Sequence, residues 1–417
     1  MRKIILLGLG LAALLLLGWD AHRWYDARAA REPAFRSRAT ANELSGWRDG
    51  RQRWRIRAAE ITRTDGGVDA VGIRDGSLRR DGDVSLRFSA PRAGYREKDG
   101  LLRFPGGVVF TLDGKTLRIA DGVYDDKACA FRGGGVQLAS GPESQPRWEV
   151  HAAGITYGHD GTLWQLEKKV NIKWRSAPGS QPYTLTTTVL ILDEDFAGAA
   201  MPGPVALAGG SLAGAAAAAA WDGDTLTLQR VALRDESWSA ALAAGAATRR
   251  DGAWLFVGVD IRRDNGDTWR ADRLELGDGG AVAFAGVAGT IGDISFSADK
   301  LLSDDRENYR TAGAVTVRPR AGVTLAAQSL AFAESEKRYR FTKPRLRQDN
   351  GTEITADAGL FDGKRRNVAF AANVVTVMKD GREIRAATAA YDLDSRVVEY
   401  TGAVSSVRRA GREGENR

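Results

Sequence analysis

Along much of the chain apolar and polar residues alternate one by one. Ile384 and Ala386 alternate with Glu383 and Arg385, and Val398, Tyr400, Gly402 and Val404 with Glu399, Thr401 and Ser405. A period of two belongs to a strand with one apolar face, so each such run predicts a half-buried strand. Between the runs stand thirteen Asp-Gly pairs, with Asn265-Gly266 and Asn350-Gly351. These dipeptides tolerate the positive φ of tight hairpin turns. So many turn signals leave little room for helix beyond the N-terminus, and the expected class is all-β.

The pattern repeats. A shift of thirty residues aligns Gly351 with Gly381, Glu353 with Glu383, Ile354 with Ile384, Ala356 with Ala386, and Phe361-Asp362 with Tyr391-Asp392. It continues through Val368 with Val398, Phe370 with Tyr400 and Val374 with Val404. Weaker copies precede it, with Leu325, Ala327, Phe332 and Tyr339, then Phe296, Ala298 and Tyr309. The N-terminal half has its own version, in which Leu86 and Ala90 answer Leu117 and Ala120, and WRIRAAEI at Trp54–Ile61 echoes WEVHAAGI at Trp148–Ile155. Each unit holds two strands and two turns, and stacked units build one long sheet folded along its length. The aromatic-Asp turns at Phe361-Asp362 and Tyr391-Asp392 are the expected markers of that fold.

The expected organisation is an N-terminal anchor over 1–25, a linker over 26–50, a first repeat region over 51–196, an Ala/Gly-rich segment over 197–262, a second repeat region over 263–407 and a disordered tail over 408–417. The middle segment, AGAAMPGPVALAGGSLAGAAAAAA at Ala197–Ala220, reads as a linker or as divergent strands with tiny side chains, the linker being preferred.

At the N-terminus Arg2 and Lys3 precede an unbroken apolar run from Ile4 to Trp19. It is a membrane anchor or a removed signal peptide. The anchor is preferred, because the small-residue pattern Ala27-Arg28-Ala29 lies well beyond the run, behind Asp20, Arg23 and Asp26. Arginines also follow the run, against the positive-inside rule, but a short basic start before an apolar run behaves as a signal-anchor and leaves the body outside. The expected location is therefore the inner membrane, single-pass, with the body in the periplasm.

Composition removes several kinds of chemistry. One cysteine, Cys129, excludes an intramolecular disulfide and a multi-cysteine metal cage. The net charge of +7 is spread among nearly as many acids, with no basic stripe carrying interleaved aromatics, so nucleic acid is not an expected partner. His22, His151 and His159 show no zinc-ligand spacing. FTLDGKT at Phe110–Thr116 has the end of a P-loop, but Val109 stands where its first glycine belongs. Asp362 and Asp392 recur because the turn recurs, which a catalytic pair has no reason to do. Neither an enzyme nor a cofactor is expected.

The unit running from Gly381 to Val407 resembles the OstA-like repeats of the LptA and LptC family of lipopolysaccharide export proteins, and a short anchor before such repeats is similar to its LptC branch. The motif match is good from about Ser295 to Val407, fair from Trp54 to Leu138 and poor from about Leu163 to Trp254. The resemblance implies a twisted, V-shaped β-jellyroll whose groove shields acyl chains. It also implies lipopolysaccharide as ligand, with inner-membrane ATP-binding cassette transporter subunits and an LptA-like periplasmic protein as partners, joined edge to edge by β-augmentation. The chain is about twice the family's usual length.

The repeat suits such a task physically. Each exposed methylene costs ~0.8 kcal/mol in water, and an apolar trough of uniform repeats removes that cost at every step. Candidate lipid-binding residues are the same-face positions Ile354, Ala356, Val368, Phe370, Val374, Ile384, Ala386, Val398, Tyr400 and Val404. The same positions also suit a core packed against an opposite wall. The alternatives are a phospholipid carrier of the AsmA or TamB kind and a structural β-repeat protein without ligand.

Overall fold

A computed structural model describes residues 36–408 apart from 41, 81–82, 113, 141–145, 159–163, 176–179 and 194–195. The expected anchor lies outside the described residues, as does the expected tail beyond 408. Among the described residues the regular structure is strand throughout, paired antiparallel, and no helix is long and apolar enough to cross a membrane. The chain divides into two compact units, Met1–Ser140 with His151–Leu166 and Gly141–Val150 with Glu167–Arg417.

In the first unit Arg51–Thr64, Gly67–Arg80, Asp83–Arg96, Leu101–Leu112, Lys115–Asp125 and Ala130–Ser140 each pair with the next. Phe88, Phe104, Phe110, Phe131 and Trp164 fill its centre, ring against ring at 5.2–6.3 Å. Two Asp-Gly pairs read as turns are not turns. Asp75-Gly76 and Asp121-Gly122 lie inside strands, because only a residue without Cβ lets a ring lie flat on the backbone: a Cβ on Gly76 would sit 2.3 Å from Phe88 and one on Gly122 2.6 Å from Phe131. Some of the expected 26–50 linker is also strand, Arg36–Thr40 and Glu43–Arg48.

In the second unit the Ala/Gly-rich stretch corrects the linker reading. Gly198–Met201, Val205–Gly209 and Leu212–Asp222 are strands, paired with one another and with Thr225–Asp235. Leu212, Ala216, Ala219 and Trp221 face inward while Ala206, Ala213 and Ala215 are exposed. Alanine on both faces hides the alternation without abolishing it.

From Thr225 onward the strands follow one another with the hairpin regularity that the repeat predicts, and most carry a bend at mid-length. Positive φ recurs at Arg230 (49°), Gly258 (61°), Gly286 (60°), Gly313 (111°), Lys343 (47°), Asn373 (54°) and Gly402 (92°), every 27 to 30 residues. The in-out alternation slips there, as at Gln229-Arg230 and Val257-Gly258, where two successive residues face out. Beyond Ile294 several strands break into two short ones at this line: Ile294–Ser303 pairs with both Asn308–Thr311 and Val315–Arg320. The sheet of this unit is therefore creased along its middle. The aromatic-Asp turns do not mark that crease. They lie at strand ends, where Asp362 accepts the amides of Lys364 and Arg365 at 2.9 and 3.0 Å and Asp392 those of Asp394 and Ser395 at 3.0 and 2.7 Å.

Candidate functional site: an apolar interior closed by a polar seam

Cross-strand register sorts the candidate residues into rows within the second unit. One row runs Leu330, Phe341, Gly359, Phe370, Ala389, Tyr400, each opposite the next on neighbouring strands. A second runs Tyr309, Phe332, Tyr339, Phe361, Val368, Tyr391, Val398. Across the crease a third runs Leu325, Leu346, Ile354, Thr376, Ile384, with Val374 opposite Ala386 beside it. Phe370 and Tyr400 thus belong to one row with Ala389 between them, as the thirty-residue shift suggests.

Burial is uneven along the rows. Ile354 and Val368 are fully buried, Phe370 and Val374 almost so, and Ala356 and Ala386 are buried as well. Ile384, Val398 and Tyr400 are half-buried, and Val404 is 52 % exposed, which corrects its place on the wall. Among the described residues no further strand covers Val398–Thr401 and Ser405–Arg408, and the inward residues there are correspondingly more exposed. Thr376, missed in the sequence because it is polar, is fully buried in the same row as Ile354.

An aromatic ladder occupies the interior. Trp238 meets Trp269 at 5.8 Å, Trp269 meets Tyr309 at 5.5 Å, Tyr309 stacks on Phe332 at 5.0 Å, and Tyr339 stacks on Phe361 at 5.4 Å. Edge-to-face and offset rings pack well without polar partners, so this region of the interior is filled by side chains.

The opposite ends of the strands meet. Hairpins at one end, near 236–239 and 264–267, touch hairpins at the other end, near 304–307 and 334–337, and the partners lie about five strands apart in sequence. Arg306 Nη1 donates to Asp235 Oδ2 at 2.9 Å and Arg263 pairs with Glu334, both 71 residues apart. Trp254 Nε1 donates to Tyr183 Oη at 3.0 Å, again 71 apart. Arg320 donates to the Leu393 carbonyl, 73 apart, and Arg366 stands 3.9 Å from Asp293. An 11-residue strand such as Thr225–Asp235 spans ~36 Å, and five inter-strand steps cover ~24 Å. A strongly twisted, creased sheet brings such distant ends together.

These contacts form a seam over the aromatic ladder. Asp235 is fully buried, and its Oδ1 also accepts the amides of Ser237 and Trp238 at 3.0 and 3.2 Å. The guanidinium groups of Arg263 and Arg306 lie 5.9 Å above the Trp238 ring. A cavity of about 1550 Å³ opens along the seam, lined among others by Asp235, Trp238, Arg249, Arg263, Arg306 and Glu334. Arg249, 2 % exposed, pairs there with Asp278 and lies over Tyr183 and Trp254. This cavity thus lies at the polar rims, above the packed aromatic ladder.

Among the described residues no group of three or more His, Cys, Asp or Glu converges as a metal site.

No family model matches the sequence, and no curated protein does. Among solved structures the chain matches LptH, described as the LptA homologous periplasmic component of the conserved lipopolysaccharide transport device from Pseudomonas aeruginosa, at 12% identity over 34% of this chain and 95% of that one, with a TM-score of 0.18.

Sequence reading reached the rows but none of the seam. Its partners sit at strand ends or in the turns beside them, and nothing local pairs Asp235 with a residue 71 positions away. One signal was present: Asp235, Asp305, Asp362 and Asp392 all head turns at strand ends, where each accepts backbone amides.

Proposed function

We propose that this chain is an LptC-like, inner-membrane-anchored β-groove protein of lipopolysaccharide export, whose interior walls shield acyl chains and which passes lipid to an LptA-like partner by edge-to-edge strand pairing. The observation that carries this reading is the run of apolar rows, Phe370–Ala389–Tyr400 and its neighbours, held in register by repeats that carry the OstA-like motif. Rows of this kind present a lipid with the same apolar surface at every step, so that it is neither trapped nor lost. Among the described residues the outer edge of Val398–Thr401 carries no further strand, with Tyr400 half-buried on it, and such an edge suits a partner strand. The reading assigns no catalysis and no cofactor, and it places the body in the periplasm.

In-cell photocrosslinking from Phe370 and Tyr400 tests it. Lipopolysaccharide adducts at both positions are the expected result. Phospholipid adducts alone would move the protein to a carrier of the AsmA or TamB kind, and no lipid adduct at either position would leave a structural repeat protein.

A further inference from the structure

We propose that the seam is a lateral gate, and that acyl chains reach the interior sideways by separating the ion pairs between the two rims; this rests on the lipid-shielding reading above. Three observations on the second unit carry it. The interior beneath the seam is filled by the ladder from Trp238 to Phe361, so chains sliding lengthwise would have to displace ring after ring. The rims above it are held by discrete side-chain contacts, Asp235–Arg306, Arg263–Glu334 and Arg320–Leu393, and among the described residues no backbone ladder joins them. Continuous backbone pairing opens only by unfolding, whereas side-chain pairs break singly and in sequence.

The third observation is the cavity of about 1550 Å³ along those rims, where the guanidinium groups of Arg263 and Arg306 sit on the Trp238 ring. A lipid has a charged or polar head and apolar tails. Here the polar lining and the apolar interior adjoin in that order, head outside and tails within. The crease supplies the hinge. Positive-φ residues such as Gly258, Gly286 and Lys343 lie midway along the strands, opposite the seam, and small backbone changes there move the rims apart.

A reversible lock tests the gate. In full-length protein carrying Cys129→Ser, Ser237→Cys and Arg306→Cys are bridged by a short bis-methanethiosulfonate reagent, which dithiothreitol cleaves; in the native chain Ser237 Oγ accepts from Arg306 Nη1. Loading is followed with cis-parinaric acid and with purified lipopolysaccharide. The locked form is expected to load roughly tenfold more slowly or worse, with recovery on cleavage of the bridge in the same sample. The same reagent across Thr227→Cys and Thr248→Cys, neighbours on already paired strands, is expected to have no effect. Equal loading by locked and cleaved protein would overturn the gate and leave the lipid-shielding reading standing. Failure of both forms to load either probe would overturn that reading, and the gate with it.

Discussion

The pair Asp235–Arg306 gives the seam a measurable energy. The Asp235 carboxylate is fully buried and the Arg306 side chain 13 % exposed. Arg306→Met removes the donor to Oδ2 and the charge that balances the carboxylate, while three donors to Oδ1 remain: the Ser237 amide at 3.0 Å, the Ser237 hydroxyl at 2.7 Å and the Trp238 amide at 3.2 Å. Breaking a buried pair from one side costs about 3–5 kcal/mol, and the remaining donors place this one at the lower end, about 3 kcal/mol. Asp235→Asn in the same background removes the stranded charge and is expected to recover about 2 kcal/mol, so the two changes are strongly non-additive. Urea unfolding followed by circular dichroism reads the midpoints. The control is Arg234→Met, whose partners Asp264 and Glu236 are exposed and whose loss is expected to leave the midpoint unchanged. If Arg306→Met destabilises no more than Arg234→Met, or if the double variant is additive, the pair does not hold the rims together.

Further expectations concern the crease, the wall and a buried acid. Gly286→Ala is expected to cost about 2 kcal/mol, since its Cβ takes on a left-handed backbone and meets Asp272 Oδ2 at 2.2 Å, whereas Gly258→Ala, with open space around it, costs about 1 kcal/mol; unfolding midpoints compare them. Phe370→Ala is expected to cost about 3–5 kcal/mol and Val404→Ala less than about 0.5 kcal/mol, and equal effects in thermal melts would contradict the rows as drawn. In the first unit burial pushes the Asp126 carboxyl up to about 6, against the lowering effect of Arg48 and Arg53, while Asp125 raises it further. A raised acid binds its proton more tightly folded than unfolded, so this group's stabilising contribution is full below about 4 and is lost as pH rises through about 6. Asp126→Asn is therefore expected to stabilise the protein at pH 8 by about 1–3 kcal/mol and to change little at pH 4, read from urea midpoints at the two pH values.

What the sequence made legible and what it concealed divide by distance along the chain. Strands and turns are written locally: the alternation around Val398 and the turn-heading Asp392 each declare themselves within a few residues, so the all-β class and the thirty-residue unit were readable. The crease was half-written. Gly258, Gly286, Gly313 and Gly402 stand at its period, but Arg230, Lys343 and Asn373 fill the intervening places with residues that do not advertise a positive φ. The alanine stretch hid three strands, because alanine on both faces erases the contrast on which the alternation depends.

The seam could not be read at all, and the reason bears on how such a protein can vary. Each repeat holds two strands, so hairpins at one rim recur every second strand, and a rim contact must join partners an odd number of strands apart. The observed step of about 71 residues, near five strands, satisfies that parity. Adding or removing a whole repeat preserves it and leaves each rim facing the other, whereas a change of one strand sets like rims together and strands the buried carboxylate of Asp235 without a guanidinium. This closure is therefore compatible with an array of any length, provided that it grows in whole repeats.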